Sequence, residues 1–245
     1  SPWGSLGTFE FSIDRLAAVM MVVITGIGTL IYLYSIRFMQ PERGRARFHT
    51  LLALSIFVLL CMVSSANLLM LFIFWQLMSW MVPLLAYNYA HPPTVKGAFR
   101  TFVVLRLGDV AFLAGIVLTY GLYGTLDFDQ LFIRATEVKT SNSLFWLGSG
   151  IETHSAPLIT LLIFIGAMSK SAQFPLHTWL PDSLYAPTPV HALLHAGIIN
   201  AGGFLLNRLA PLYGLSPTTL HVVFADLQGS IPSPPSPSYL HHLLK

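Results

Sequence analysis

The sequence predicts an all-α fold: a polytopic transmembrane helix bundle containing one proline-broken helix. Three observations predict it. Only 9% of the 245 residues are charged while 54% are hydrophobic, where an ordinary soluble domain carries about 25% charge. The apolar residues gather in runs approaching the ~20 that cross hydrocarbon. Pro175, Pro181, Pro187 and Pro189 crowd a single stretch, and each removes a backbone donor and disturbs the turn before it. This composition excludes an ordinary cytosolic enzyme and makes the lipid bilayer the first partner. Thirteen basic residues against ten acidic ones, a net charge of +3, leave no footprint for nucleic acid. The single cysteine, Cys61, sits inside an apolar run, which excludes a disulfide framework and a thiolate metal site.

The spans follow in order. The first runs from Leu16 to Ile36, the second from Leu51 to Ser65 and the third from Leu68 to Tyr87, with Ser64, Ser65 and Asn67 as the turn between the latter two. The fourth covers Ala98 to Tyr120, the fifth Pro157 to Ala172 and the sixth Val190 to Leu206; a seventh begins at Thr218 and stops after Phe224. Arg37, Arg43, Arg45 and Arg47 crowd the first loop, and Lys96 and Arg100 follow the third span. Both places are cytoplasmic by the positive-inside rule. The connection from Gly121 to Ala156, with Asp127, Asp129, Arg134, Glu137, Lys139 and Glu152, is then an external loop. The chain begins Ser1-Pro2-Trp3 without methionine or a charged n-region, so no signal peptide is visible and a start removed by processing or truncation is expected. Two units result: a transmembrane domain over residues 1–225, and a Pro/Ser-rich tail over 226–245 whose composition suits neither a span nor a core and is expected to be disordered or non-native.

Charges inside the spans need a reason, because an ionisable side chain there costs about 2.5–3.5 kcal/mol even on the translocon insertion scale. Arg106 and Asp109 stand three apart in the fourth span and therefore share a helical face, either as a structural pair or as partners of another helix. Lys170 closes the run Leu161–Met168. It either snorkels to the interface or handles protons, since a low-dielectric site weakens the preference of an amine for its charged form. Beyond it, Gln173, His177, Asp182 and Thr188 make the proline-rich stretch unusually polar. Broken backbone at membrane depth is tolerated where it is buried in protein or lines a wet cavity, which favours a hydrated ion path over a re-entrant interfacial loop. His191 and His195 are four apart on one face of the sixth span. They read as proton relays or as packing residues; a metal would need a further ligand that the spacing does not supply, so no metal is expected. Gly166-Ala-Met-Ser-Lys170-Ser171 lacks the glycine that a phosphate loop places before its lysine. No nucleophile elbow, dinucleotide fingerprint or redox site is present, so no cofactor and no catalytic chemistry in this chain alone are expected.

The string Gly166–Asp182, followed by Ala186-Pro-Thr-Pro-Val-His-Ala-Leu-Leu-His195, resembles the core of the antiporter-like proton-translocating subunits. These include NuoL of respiratory complex I, MrpA of cation/proton antiporters and DabB of inorganic-carbon pumps. Thr101–Val110, Phe72–Gln76 and, more weakly, Phe11–Asp14 match further blocks. The resemblance covers about Phe11 to Phe224. It implies that Lys170 is the central lysine of a proton half-channel, that His195 lies on the connecting polar axis, and that Asp109 and Arg106 are the family's aspartate and neighbouring arginine. Arg100 stands where NuoL-like chains commonly carry lysine. The family fold is a larger bundle with inverted repeats, so the chain looks like an N-terminal portion without the first two helices and the second half.

Two departures stand out. NuoL-like chains pair a glutamate with the central lysine, whereas this sequence has Gln76, an amide that neither holds a negative charge nor takes a proton. His191 replaces a usual serine. With the run Ala196–Gly203, these residues look more like DabB than NuoL. The resemblance therefore implies a proton-conducting subunit that energises inorganic-carbon uptake, with a soluble DabA-like partner, in a bacterial inner membrane. The alternatives are a NuoL-type or MrpA-type subunit among other complex I or Mrp subunits, or a structural membrane scaffold with inert charges.

Overall fold

A computed structural model describes residues 9–40, 44–86, 92–137, 155–182, 186–214, 219 and 221–223. These residues form an all-α bundle without an extended strand among them. Among the described residues five helices are long and apolar enough to cross a membrane: Arg15–Phe38, Arg45–Val63, Leu68–Leu85, Lys96–Tyr123 and Thr188–Arg208. A sixth apolar helix is shorter.

The first helix, α1 (Arg15–Phe38), starts where Asp14 accepts the amide N–H of Ala17 at 2.8 Å, an N-cap that satisfies one of the orphan donors of the first turn. It buries a narrow stripe, Ala17, Ile24, Gly28, Ile31 and Ser35, and leaves Val19, Val22, Ile27, Leu30 and Leu33 outward. In water such a face would be unstable; in hydrocarbon it is the expected surface. Helix α2 (Arg45–Val63) begins after Gly44, whose φ of +93° suits a residue without Cβ. A tight turn leads to α3 (Leu68–Ala86), where Asn67 caps the helix by accepting from Met70 N at 2.7 Å.

Helix α4 (Pro92–Tyr123) packs most extensively on α6 (Ser155–Lys170). Small residues permit that approach. A Cβ on Gly166 would stand 2.7 Å from Phe112 Cβ, and one on Gly115 2.8 Å from Ile163 Cγ1. Close packing of this kind replaces the hydrophobic drive that lipid cannot provide.

The connection after the fourth span differs from the expected loop. Phe128–Glu137 forms an amphipathic helix, α5, which buries Phe128, Leu131 and Ala135. Asp127 starts it by accepting the amides of Asp129 at 3.1 Å and Gln130 at 3.3 Å. Periodic apolar residues after a capping aspartate carry the helix despite its charges. Lys139 and Glu152 lie outside the described residues, as do the 226–245 tail and three of the seven residues of the seventh span, Thr218, Leu220 and Phe224.

The polar, proline-rich stretch is divided rather than continuous. Helix α6 ends at Lys170, Ala172 takes a left-handed φ of 51°, and the Phe174–Pro175 peptide is cis. A single turn, α7 (Trp179–Asp182), follows. Pro187 precedes α8 (Thr188–Leu193), whose chain continues through a π-helical segment, Leu194–Ile198, into α9 (Ile199–Arg208). After Leu209, α10 (Ala210–Gly214) completes the described bundle.

At the end of the bundle where α1 starts and α9 ends, Arg208 joins four parts of the chain. It pairs with Asp14, donates to Ser65 O at 3.4 Å, and lies 5.0 Å from the ring centroid of Phe128. An adjoining cavity of about 540 Å³ is lined by Glu10, Asp14, Asp127, Asp129 and Asn207, among others.

A buried lysine, an indole and an ion pair between three helices

Lys170 is the last residue of α6 and is 0% exposed. A helix C-terminus favours a cation, because unpaired carbonyls give it partial negative charge. The irregular segment beyond closes that end: Ser171 N reaches Ala167 O at 3.0 Å, Gln173 N reaches Met168 O at 3.1 Å, and the indole of Trp179 donates to Ser169 O at 2.8 Å. The lysine is therefore held at the end of a finished helix and does not snorkel.

Its amine turns toward α3. Nζ donates to Ser79 Oγ and to the carbonyl of Trp75 at 3.5 Å, and it lies 5.3 Å from the centroid of the Trp75 ring. Trp75, wholly buried, donates its indole N–H to Asp109 Oδ1 on α4 at 2.8 Å. Phe112, one turn below Asp109, meets the same indole edge-to-face at 5.2 Å. Asp109 is 2% exposed and forms an ion pair with Arg106 at 3.3 Å. The guanidinium of Arg106 also donates to Gln76 Oε1 and lies over Trp80 and Phe102 at 5.1 and 5.2 Å. Aromatic faces and an amide thus share a cation that one carboxylate neutralises.

Lys170, Asp109, Arg106 and Gln76 are accordingly brought together, with Trp75 and Ser79 as the links. The charge count is uneven: one carboxylate faces two basic side chains, and among the described residues no carboxylate forms an ion pair with Lys170. Arg106 and Asp109 combine both arrangements the sequence left open, since they pair with each other and each bonds to α3.

Among the described side chains, none of the other sequence-selected residues is bonded to this network. His191 is half-buried, with Nε2 enclosed and, among the described residues, without a hydrogen-bond partner. His195 is exposed on the π-helical segment. Gln173 is half-buried; Thr188 and His177 are exposed, the latter stacked on Phe174 at 5.9 Å. The side chain of Asp182 lies outside what is described. Among the described residues no group of three or more His, Cys, Asp or Glu side chains is placed to hold a metal ion. Sequence reasoning overlooked Ser79. A hydroxyl one turn after Trp75 in an otherwise apolar run was its only signal.

A membrane bundle with a buried lysine, a carboxylate–arginine pair and an indole between them defines the class of antiporter-like membrane subunits. The family model for the NADH:quinone oxidoreductase/Mrp antiporter transmembrane region matches residues 65–228, and that for the N-terminus of complex I chain 5 matches residues 3–49. The chain belongs to the NADH:quinone oxidoreductase/Mrp antiporter family. It is 42% identical over 225 residues to the probable inorganic carbon transporter subunit DabB1 of Halothiobacillus neapolitanus, covering 91% of this chain and 39% of that protein. It is 36% identical over 231 residues to NADH-quinone oxidoreductase subunit L of Neisseria meningitidis serogroup A, covering 90% of this chain and 34% of that protein. The Mrp complex from Dietzia sp. DQ12-45-1b contains a chain of similar fold, with a TM-score of 0.72 and 29% identity, covering 85% of this chain and 22% of that one. The sequence thus spans well under half the length of these relatives.

Proposed function

We propose that the chain carries the Lys170 half-channel of a proton-conducting membrane subunit in an ion-gradient-coupled complex, of the type that energises inorganic-carbon uptake. The observation that carries this reading is the fully buried Lys170 amine, held by a hydroxyl and a carbonyl between spans that also enclose Asp109 and Arg106. A membrane-buried lysine is costly, which makes it a candidate for function, and an amine is a group that can take and return a proton.

In this reading Lys170 is the exchanging group, and Asp109 with Arg106 and Gln76 set the field around it. His191 and His195 continue the path, and Gln173, His177, Asp182 and Thr188 line its aqueous end. The exposed face of the sixth span supports the role of His195. Thr188, His195, Asn200 and Asn207 point outward there, whereas the outward face of α1 is mostly apolar, with the hydroxyls of Thr25 and Thr29 bonded back to their own helix. Polar side chains avoid lipid, so in the complete subunit this face lies against protein or water. Similarity to DabB1, together with Gln76 and His191, supports the inorganic-carbon branch, a soluble DabA-like partner and a bacterial inner membrane. Similarity to subunit L and to the Mrp structure supports the second reading, a subunit of a quinone-linked or Mrp-type complex.

Purification of the complete subunit with its native partners separates the two. A soluble protein that captures inorganic carbon favours the first reading; quinone-reducing subunits or other Mrp subunits favour the second.

A further inference from the structure

Ser79 lies on α3, one turn after Trp75, and is wholly buried. Its hydroxyl makes two contacts with distinct directions. It donates to Trp75 O at 3.2 Å and accepts from Lys170 Nζ. The first bond is the usual return of a buried helical hydroxyl to the carbonyl four residues back, and it fixes the side-chain rotamer. With the proton of Ser79 committed to that carbonyl, a lone pair of Oγ is turned toward the lysine.

The surroundings make this lone pair the main anchor. The carbonyl of Trp75 lies 3.5 Å from Nζ, a long contact. The ring of Trp75 adds only a face. Asp109 accepts the Trp75 indole on Oδ1 and turns Oδ2 toward Arg106 at 3.3 Å, and Gln76 is bonded to Arg106. Among the described residues neither Asp109 nor Gln76 forms a hydrogen bond or ion pair with the amine.

We infer that Ser79 is the positioning residue for Lys170: in a chain whose position 76 is an amide, the Ser79 hydroxyl fixes where the lysine amine sits and exchanges its proton. The role is positional and not a relay, because the only hydrogen Ser79 could pass on points at a main-chain carbonyl that cannot carry it further. The inference rests on the proton-path reading of Lys170.

The test uses the complete subunit in its native complex, reconstituted in vesicles, with proton flux and assembly measured together. Ser79→Ala is expected to lower flux about tenfold or more, the effect of deleting one hydrogen bond to a charged group, while the complex assembles normally. Ser79→Thr, which keeps the hydroxyl, is expected to retain flux within a few-fold. If Ser79→Ala fails to assemble, the equal-shaped pair Ser79→Thr and Ser79→Val carries the test, with threonine active and valine impaired. Flux that is unchanged in Ser79→Ala, or equal in the threonine and valine variants, while Lys170→Ala abolishes it would overturn the role of Ser79 and leave the proton path standing. Unchanged flux in Lys170→Ala would remove both.

Discussion

Asp109 accepts the indole N–H of Trp75 at 2.8 Å, so a buried carboxylate on α4 is fixed to the residue whose carbonyl and ring face Lys170 on the other side. The two residues are 34 positions apart in sequence, and their bond ties the third and fourth spans at the level of the lysine. Trp75→Phe keeps most of the ring packing against Phe112 and removes the donor. It is expected to destabilise the purified subunit by about 1–3 kcal/mol, the cost of leaving a buried acceptor short of a partner. Thermal unfolding in detergent measures this; an unchanged transition would show the bond to be dispensable.

The charge count around Arg106 makes a second expectation. Asp109→Asn retains an acceptor for Trp75 but leaves Arg106 without its carboxylate, and breaking a buried pair costs about 3–5 kcal/mol; the partial exposure of Arg106, 27%, places the loss at or below the lower end. Because Gln76 already accepts from Arg106, Gln76→Glu puts a carboxylate within reach of the same guanidinium. The double variant is therefore expected to be more stable than Asp109→Asn alone. Equal stability of the two would mean that position 76 does not compensate.

Packing between α4 and α6 predicts a contrast among glycines. Gly166→Ala drives a Cβ to 2.7 Å from Phe112 Cβ, and overpacking of this kind costs about 1–3 kcal/mol. Among the described residues none comes within 4 Å of the same position at Gly203, so Gly203→Ala is expected to be neutral or mildly stabilising, as alanine exceeds glycine in helix propensity. Melting temperatures of the two variants that move together would contradict this placement of the interface.

Arg208 and Asp14 allow cap and ion pair to be separated. Asp14→Asn keeps an N-cap as good as aspartate while losing the charge that faces Arg208. Asp14→Ala loses both, and is expected to be less stable than the asparagine variant by about 1 kcal/mol. If the two variants melt alike, the cap at Ala17 contributes little.

Much of the fold was legible because lipid imposes a coarse rule: apolar runs of sufficient length become spans, and the helices that start at Arg15, Arg45 and Leu68 lie over the runs read from Leu16, Leu51 and Leu68. Helix α5 was not legible as such, since its charges outweighed a short periodic stripe of Phe128, Leu131 and Ala135. In the site, Arg106, Asp109 and Lys170 stood out because ionisable residues within spans need partners. Ser79 did not, because a serine in a transmembrane helix usually satisfies itself on its own backbone, and only the position of the Lys170 amine gives its oxygen a further use. The bond from Trp75 to Asp109 was equally hidden, as sequence carries no sign of which spans are neighbours.

The central claim is that Lys170 exchanges the proton. Proton flux through the complete, correctly assembled subunit carrying Lys170→Ala tests it most directly. Loss of flux to the level of empty vesicles, with assembly intact, is the predicted result; flux equal to that of the unaltered protein would contradict it.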